Sequence, residues 1–401
     1  MSDVFSLLHP QLQEFLAERD WKPTPVQEQA IPELIDGGER LLIAPTGSGK
    51  TLAAVLPLLH RCKTEDWKPL SILYITPLRA LNRDVDRRLA ELSEALDLRF
   101  ALRHGDTPTS ERSRQVRRPP HLLVTTPETF QLMFTGHRLR AMLSSVQAVI
   151  IDEVHDLAAS ERGWQLRLGL QRLEALCGRT LQKVGLSATV GNPDHVASWI
   201  SNDSCQPILA PAERTTVLTV ETAPPLTEDE VGAMEMRLSP RAHATFRLLS
   251  EIIEKDPPCL VFVNSRNAAE TVAQRLQTMA PQLTIGVHHG SLAAETRQEM
   301  EENIRNGTLH ALICTSSLEL GIDVGSIRKI VQLESPRSVD RMLQRVGRAD
   351  HRIGGIGRGH LLAWETDGIA ESAVVAHRSH LGAIEDVEWR HRPYSIAANQ
   401  I

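Results

Sequence analysis

Short apolar runs alternate with longer segments of mixed polarity along this chain, and the runs have the length of strands while the segments between them have that of helices. In the first half the runs lie near Leu41 to Ile43, Ser71 to Ile75, His121 to Val124, Ala148 to Ile151 and Gln182 to Leu186. In the second they lie near Cys259 to Val263, Thr284 to Val287, Ala311 to Cys314, Lys329 to Leu333 and His360 to Trp364. A strand apolar on both faces is buried on both sides. The pattern therefore predicts an α/β protein with mainly parallel sheets covered by helices on both faces. Pro207 to Leu226, with its prolines and its β-branched TTVLTV, interrupts the rhythm, so a crossing between domains is expected near residue 210. With 401 residues the chain is long enough for two cores. The expected division is 1–209, 210–384 and a tail of 385–401.

Two segments carry recognisable chemistry. APTGSGKT at Ala44 to Thr51 follows the apolar RLLIA and precedes the helix-like TLAAVLPLLH, so small residues stand where a strand turns into a helix. Such a loop aims backbone N–H groups at one point and adds the positive end of the helix dipole, which seats a polyphosphate. Thr46, Gly47, Ser48 and Gly49 form the cradle, Lys50 reaches the β- and γ-phosphates, and the Thr51 hydroxyl is placed for Mg²⁺. Ala44 stands where glycine is usual. The second segment, VIIDEVHDL at Val149 to Leu157, delivers Asp152 to the carboxyl end of a buried strand, where it would hold Mg²⁺. Glu153 would orient or deprotonate the attacking water. His155 either links this site to Gln344 or caps the turn that follows. Together the halves read as an ATP hydrolysis site.

The second half has no phosphate loop, but QRVGRADH at Gln344 to His351 ends the helix-like VDRMLQRV and offers Arg345 and Arg348 three positions apart. Residues at that spacing share a helical face, so both are read as arginine fingers for a γ-phosphate. ERSRQVRRPP at Glu111 to Pro120 is the most basic stretch and reads as a mixed-charge helix face stopped by two prolines, in preference to a DNA contact. A net charge of −6 does not advertise a polyanion binder, yet a local groove would suffice. The five cysteines lie far apart with no CxxC, which predicts reduced buried thiols rather than a metal cluster. Neither a long apolar span nor a charged-then-apolar leader is present, so a cytoplasmic protein is expected, without a membrane partner.

In order along the chain stand PTPVQ (Pro23 to Gln27), APTGSGKT, TPLRAL (Thr76 to Leu81), HGDTP (His104 to Pro108), TTPE (Thr125 to Glu128), DEVH (Asp152 to His155) and SAT (Ser187 to Thr189). VNSR (Val263 to Arg266), HHGSL (His288 to Leu292), TSSLELGID (Thr315 to Asp323) and QRVGRADH follow. This series resembles the superfamily 2 helicases, and within them the large helicase-related (Lhr) group, over essentially the whole chain. PLRAL, DEVH and Gln344 stand where the DEAD-box RNA helicases carry PTREL, DEAD and histidine. Asp350 departs from the Lhr pattern GRAGH.

The resemblance implies two RecA-like domains that use ATP and Mg²⁺. Gln27 looks like the adenine-reading glutamine, and Trp21 either lies against the adenine or is a buried anchor. Gly321 and Asp323 are expected at the nucleotide, and Gln344 joins the catalytic group. Pro77, Arg79, Gly105, Thr126, Pro127 and Glu128 would border the nucleic-acid track in the first domain. Asn264, Ser265, Arg266, His289, Gly290, Thr315 and Ser316 would do so in the second, gripping phosphates without reading bases. Ser187 and Thr189 look like couplers between Asp152 and the track, and a capping role is compatible. The family implies 3′-to-5′ movement on single-stranded DNA and unwinding of DNA duplexes or DNA–RNA hybrids, in repair or recombination. The alternative is an ATP-switched RNA-remodelling enzyme of the DEAD-box type. RPYSIAANQI resembles the family's lead into a winged-helix domain, so 385–401 is expected to be a linker or the start of one.

Overall fold

In the computed structural model the apolar runs become two parallel sheets, and the described residues are 3–45, 47–77, 83–201, 204–210, 216–319, 327–348, 357–389 and 394–398. The first sheet comprises β1 (Arg40–Ile43), β2 (Ile72–Ile75), β3 (Phe100–Arg103), β4 (Leu122–Thr125), β5 (Ala148–Ile151), β6 (Gln182–Ser187) and β7 (Gln206–Leu209), in the order β3-β4-β2-β5-β6-β1-β7. The second comprises β8 (Thr216–Glu221), β9 (Cys259–Phe262), β10 (Ile285–His288), β11 (Ala311–Cys314), β12 (Lys329–Leu333) and β13 (Gly357–Leu362), in the order β10-β11-β9-β12-β13-β8. Every pairing in both is parallel.

Alternate residues of one strand feed opposite cores, as a pleat with period two requires. Leu42, Tyr74, Val124 and Ile150 join helices on one face of the first sheet, while Leu41, Leu73, Leu123 and Val149 join those on the other. In the second sheet Cys259, Val261, Val331 and Leu333 face one way, and Leu260, Phe262, Ile330 and Leu361 the other. Three strands were not among the predicted runs: β3, β7 and β8. All three are edge strands whose residues are largely half-buried or exposed, so their sequences lack the doubly apolar signature. Pro207 fits β7 because an edge strand has one side free of ladder partners.

The chain forms two compact units, Met1–Pro211 with Asp386–Ile401, and Ala212–Glu385. Of the tail, residues 386–389 lie on the first unit. Val387 N–H donates to Asn192 Oδ1 (2.9 Å), its carbonyl accepts from Asn192 Nδ2 (3.0 Å), and Trp389 stacks on His195 at 3.7 Å. Among the described residues no helix is long and apolar enough to cross a membrane.

Candidate nucleotide and nucleic-acid sites

The phosphate loop grows from β1, between β6 and the edge strand β7 of the first sheet. Ala44 N–H still donates to Ser187 O of β6 (3.3 Å), and Ala44 is buried and outside the left-handed region, so its methyl group is accommodated without strain. Gly47 and Gly49 have φ of 81° and 88°, which side chains rarely adopt. A Cβ on Gly49 would also lie 2.6 Å from Gln27 Nε2. Lys50 opens the Lys50–Thr64 helix, and its ammonium donates to the carbonyls of Ala44 and Pro45 (2.8 Å to the latter). Buried Gln27 accepts from Thr24 N–H (3.1 Å) and donates to Gly49 O (3.2 Å), so the residue expected at the adenine also braces the loop. Trp21 packs edge-on against Phe15 with Arg88 over its face, a packing anchor here. Thr46 lies outside the described residues.

β5 ends in Asp152, whose carboxylate is held at both oxygens: Oδ1 accepts from Glu153 N–H (3.0 Å) and Oδ2 from Tyr74 OH (2.8 Å). Burial, with the neighbouring Glu153 carboxylate, pushes Asp152 up to about 7. A cation beside it would offset that cost. The donors present are hard oxygens, which suit Mg²⁺. Among the described residues no cluster of three or more His, Cys, Asp or Glu could cage a metal. Two protein oxygens are compatible with Mg²⁺, which keeps waters and phosphate oxygens as its other ligands.

Glu153 takes the left-handed conformation (φ 48°, ψ 49°) at the start of the Val154–Ala158 helix, an uncommon choice for a non-glycine residue. Buried His155 sits 3.2 Å from Ser187 Oγ and accepts from Ala188 N–H (3.4 Å), tying DEVH to SAT within this unit. Thr189 is exposed beside them.

The strand order sorts the carboxyl edge. The β1, β6 and β5 ends carry the phosphate loop, SAT and DEVH, while β2, β4 and β3 carry Pro77, the TTPE segment and HGDTP. Thr126 caps the Pro127–Met133 helix by accepting from Thr129 N–H (3.3 Å). Arg162, not singled out from sequence, donates to Pro77 O (2.9 Å) and to Glu128 Oε1 (2.6 Å), joining two of these loops. Arg112 of the basic stretch donates to His104 O (3.1 Å) and Gly105 O (2.6 Å), while Gly105 itself faces open space. Arg79 lies outside the described residues.

In the second unit VNSR, HHGSL and TSSLE follow the adjacent strands β9, β10 and β11. Asn264, Ser265, Arg266, Gly290 and Ser316 are exposed, and Thr315 is half-buried. Ser265 caps its helix through Ala268 N–H (3.1 Å), Asn264 Nδ2 donates to Ser335 O (2.8 Å), and Arg266 reaches Ser291 Oγ (2.6 Å). His289 differs: its buried ring engages Glu270 (2.9 Å), which leaves the backbone as what this position presents.

The arginines are set in the same carboxyl-edge region, after β12. Glu385 accepts from Val339 N–H (3.0 Å) and Asp340 N–H (3.2 Å), capping the Val339–Val346 helix that carries Gln344 and Arg345. Arg345, 3% exposed, donates through Nε to Glu319 Oε1 (2.7 Å), through its other nitrogens to Glu319 and Gln332, and lies over the Phe262 ring. In this structure the Arg345 fork is engaged inside the unit. Arg348 donates to the Glu319 backbone carbonyl through Nε (3.1 Å) and Nη2 (2.6 Å). Gln344 is buried, and Gly321, Asp323 and Asp350 lie outside the described residues. All five thiols are free.

Residues 24–196 match the family described as DEAD/DEAH box helicase, and residues 244–354 match the helicase conserved C-terminal domain. Over its whole length the chain is 33% identical to an ATP-dependent helicase Lhr-Core protein 2 of Thermococcus barophilus, across 48% of that protein. Over 94% of its length it is 35% identical to an Lhr helicase/probable uracil glycosylase of Mycolicibacterium smegmatis, across 28% of that protein. A solved structure of Mycobacterium smegmatis helicase Lhr bound to ssDNA and AMP-PNP superposes with a TM-score of 0.86 at 35% identity, covering 99% of this chain and 53% of that one. The chain thus spans about half the length of these relatives, or less.

Proposed function

We propose that this chain, which belongs to the Lhr family of superfamily 2 helicases, hydrolyses ATP to move 3′-to-5′ along single-stranded DNA and to open DNA duplexes or DNA–RNA hybrids, in repair or recombination. The observation that carries the reading is the convergence of Lys50, Thr51, Asp152 and Glu153 at the carboxyl ends of β1 and β5. The loop N–H groups and Lys50 bind the phosphates, Gln27 and the Gly49 carbonyl fix the loop, and Glu153 orients the water and takes its proton. Mg²⁺, held by Thr51 and Asp152, would neutralise charge on the β- and γ-phosphates. Arg348 is the arginine assigned to the charge that develops on the transferred phosphoryl group, and Arg345 holds the segment from which Arg348 acts.

Exposed Gly105 and Glu128 after β3 and β4 in one unit, and exposed Asn264, Ser265, Arg266, Gly290 and Ser316 after β9, β10 and β11 in the other, support a grip on the sugar-phosphate backbone that ignores base identity. The relative solved with single-stranded DNA supports the same kind of track. Strand displacement on duplexes carrying a 3′ or a 5′ tail, with each strand made in turn of DNA and RNA, tests the reading. The expected result is ATP-dependent opening that requires a 3′ DNA tail and is lost in Glu153→Gln. Opening that ignores the tail and needs an RNA strand would favour local RNA remodelling instead.

A further inference from the structure

Tyr74 is the residue in the first unit whose placement the ATP site explains and the core does not. It lies in β2, opposite Ile150 of β5 and Val124 of β4, and is fully buried in the cluster that holds Leu42, Ala53, Ala54 and Ile150. A phenylalanine would fill the same space. A buried hydroxyl is costly without a partner. This one has a partner supplied by the ATP site: it donates to Asp152 Oδ2 at 2.8 Å.

The phenol gives its single proton to Asp152 Oδ2, and Glu153 N–H donates to the other oxygen at 3.0 Å, so the carboxylate is held from both sides.

We propose that Tyr74 is a positioning residue for Mg²⁺: its hydroxyl holds the Asp152 carboxylate at Oδ2, opposite the Glu153 N–H at Oδ1, and so preorganises this ligand. The inference rests on the ATP-hydrolysis reading above. Without that bond Asp152 has to be ordered by the ion itself, and the cost falls on metal affinity rather than on the phosphate loop.

The test is a titration of Mg²⁺ against binding of a fluorescent ATP analogue, with the full chain and with Tyr74→Phe, alongside thermal unfolding of both. Losing one charge-assisted hydrogen bond corresponds to about a tenfold rise in the Mg²⁺ concentration for half-maximal response. Nucleotide binding without Mg²⁺ is expected to stay the same. A variant that responds to Mg²⁺ as the parent does, whether or not its melting temperature falls, overturns the inference and leaves the ATP reading standing. A parent chain whose nucleotide affinity ignores Mg²⁺ overturns the assignment of Thr51 and Asp152 as ligands, and this inference with it.

Discussion

The two units share one sheet order and differ in what stands at the strand ends. β8 occupies in the second sheet the place that β1 has in the first, β9 that of β2, β10 and β11 those of β3 and β4, and β12 and β13 those of β5 and β6. After β1 comes the glycine loop. After β8 come Ala223, Pro224 and Pro225, and prolines have no N–H to offer a phosphate. After β5 comes the acidic Asp152–Glu153 pair, whereas after β12 comes the helix that leads to Arg345 and Arg348. The described loops after β3 and β4 expose Gly105, Asp106 and Glu128, and those after β9, β10 and β11 expose Asn264, Ser265, Arg266, Gly290 and Ser316. Under the proposed function one architecture would serve twice as a backbone grip and once as a phosphate seat, because function sits in the loops and not in the sheet.

The largest expected effects separate the chemistry of the two units. Glu153→Gln should cut ATP turnover on the order of 10³-fold while ATP still binds, since water activation matters only after the nucleotide is seated. Lys50→Ala should weaken binding and turnover together. Arg348→Ala should match the Glu153→Gln loss in turnover with little change in ATP affinity. Arg345→Ala should behave differently. It leaves Glu319 buried and unpaired, which costs roughly 3–5 kcal/mol of stability, read by denaturant unfolding of the full chain. Equal melting behaviour for the two arginine variants would show that the difference drawn between them is wrong.

Two aspartates, Asp152 half-buried and Asp229 fully buried, sharpen the same contrast. Asp152 is pushed up to about 7 by burial and by Glu153. For Asp229 burial also works against ionisation, yet Arg247 (3.1 Å), Leu226 N–H (2.8 Å) and His243 (2.8 Å) pull it from 3.8 to about 2. A lowered folded value stabilises the chain above the unfolded value. That contribution is complete above about pH 4 and is lost as pH falls toward 2. Asp229→Asn should cost about 1–3 kcal/mol at neutral pH, because the charge-assisted bonds from Arg247 and Leu226 N–H are weakened while Arg247 keeps Glu251. The raised value of Asp152 has the opposite sign: stability is lost as pH rises from 3.8 through 7. Asp152→Asn should therefore raise the melting temperature at pH 8 in the absence of Mg²⁺, while abolishing turnover. A fall in melting temperature at that pH would mean that Asp152 is a structural residue like Asp229.

The central strands were legible because burial on both faces writes an unbroken apolar run, as in ILYI of β2 and AVII of β5. The edges β3, β7 and β8 were not, since half-exposed strands carry mixed residues. The candidate phosphate loop could be picked out because its glycines and its lysine are adjacent in sequence. The contact of Arg345 with Glu319 could not, because the two are remote in the chain, and spacing alone does not distinguish an arginine that reaches outward from one folded back on a buried carboxylate. Tyr74 and Arg162 escaped notice for the same reason. A tyrosine in an apolar strand reads as core, and an arginine near a helix start reads as surface.

Arg162 gives the finest test of the comparison. In the first unit it locks Pro77 O and Glu128 together, so the loops after β2 and β4 act as one surface. In the second unit the corresponding link is Arg266 to Ser291, which joins the loops after β9 and β10. Both contacts are exposed, and exposed polar pairs contribute little stability, so neither Arg162→Ala nor Arg266→Ala should move the melting temperature by more than a degree or two. Under the proposed function they would hold backbone groups in register for a phosphate chain. Arg162→Ala should weaken single-stranded DNA binding by about threefold without changing its salt slope, since the side chain orders the grip and its charge is spent on Glu128. Arg266→Ala should weaken binding by a similar factor and also flatten the slope by about one unit, because its partner is a neutral hydroxyl and its charge is available to a phosphate. Identical slopes for both variants would place the two arginines in the same role and erase this distinction between the units.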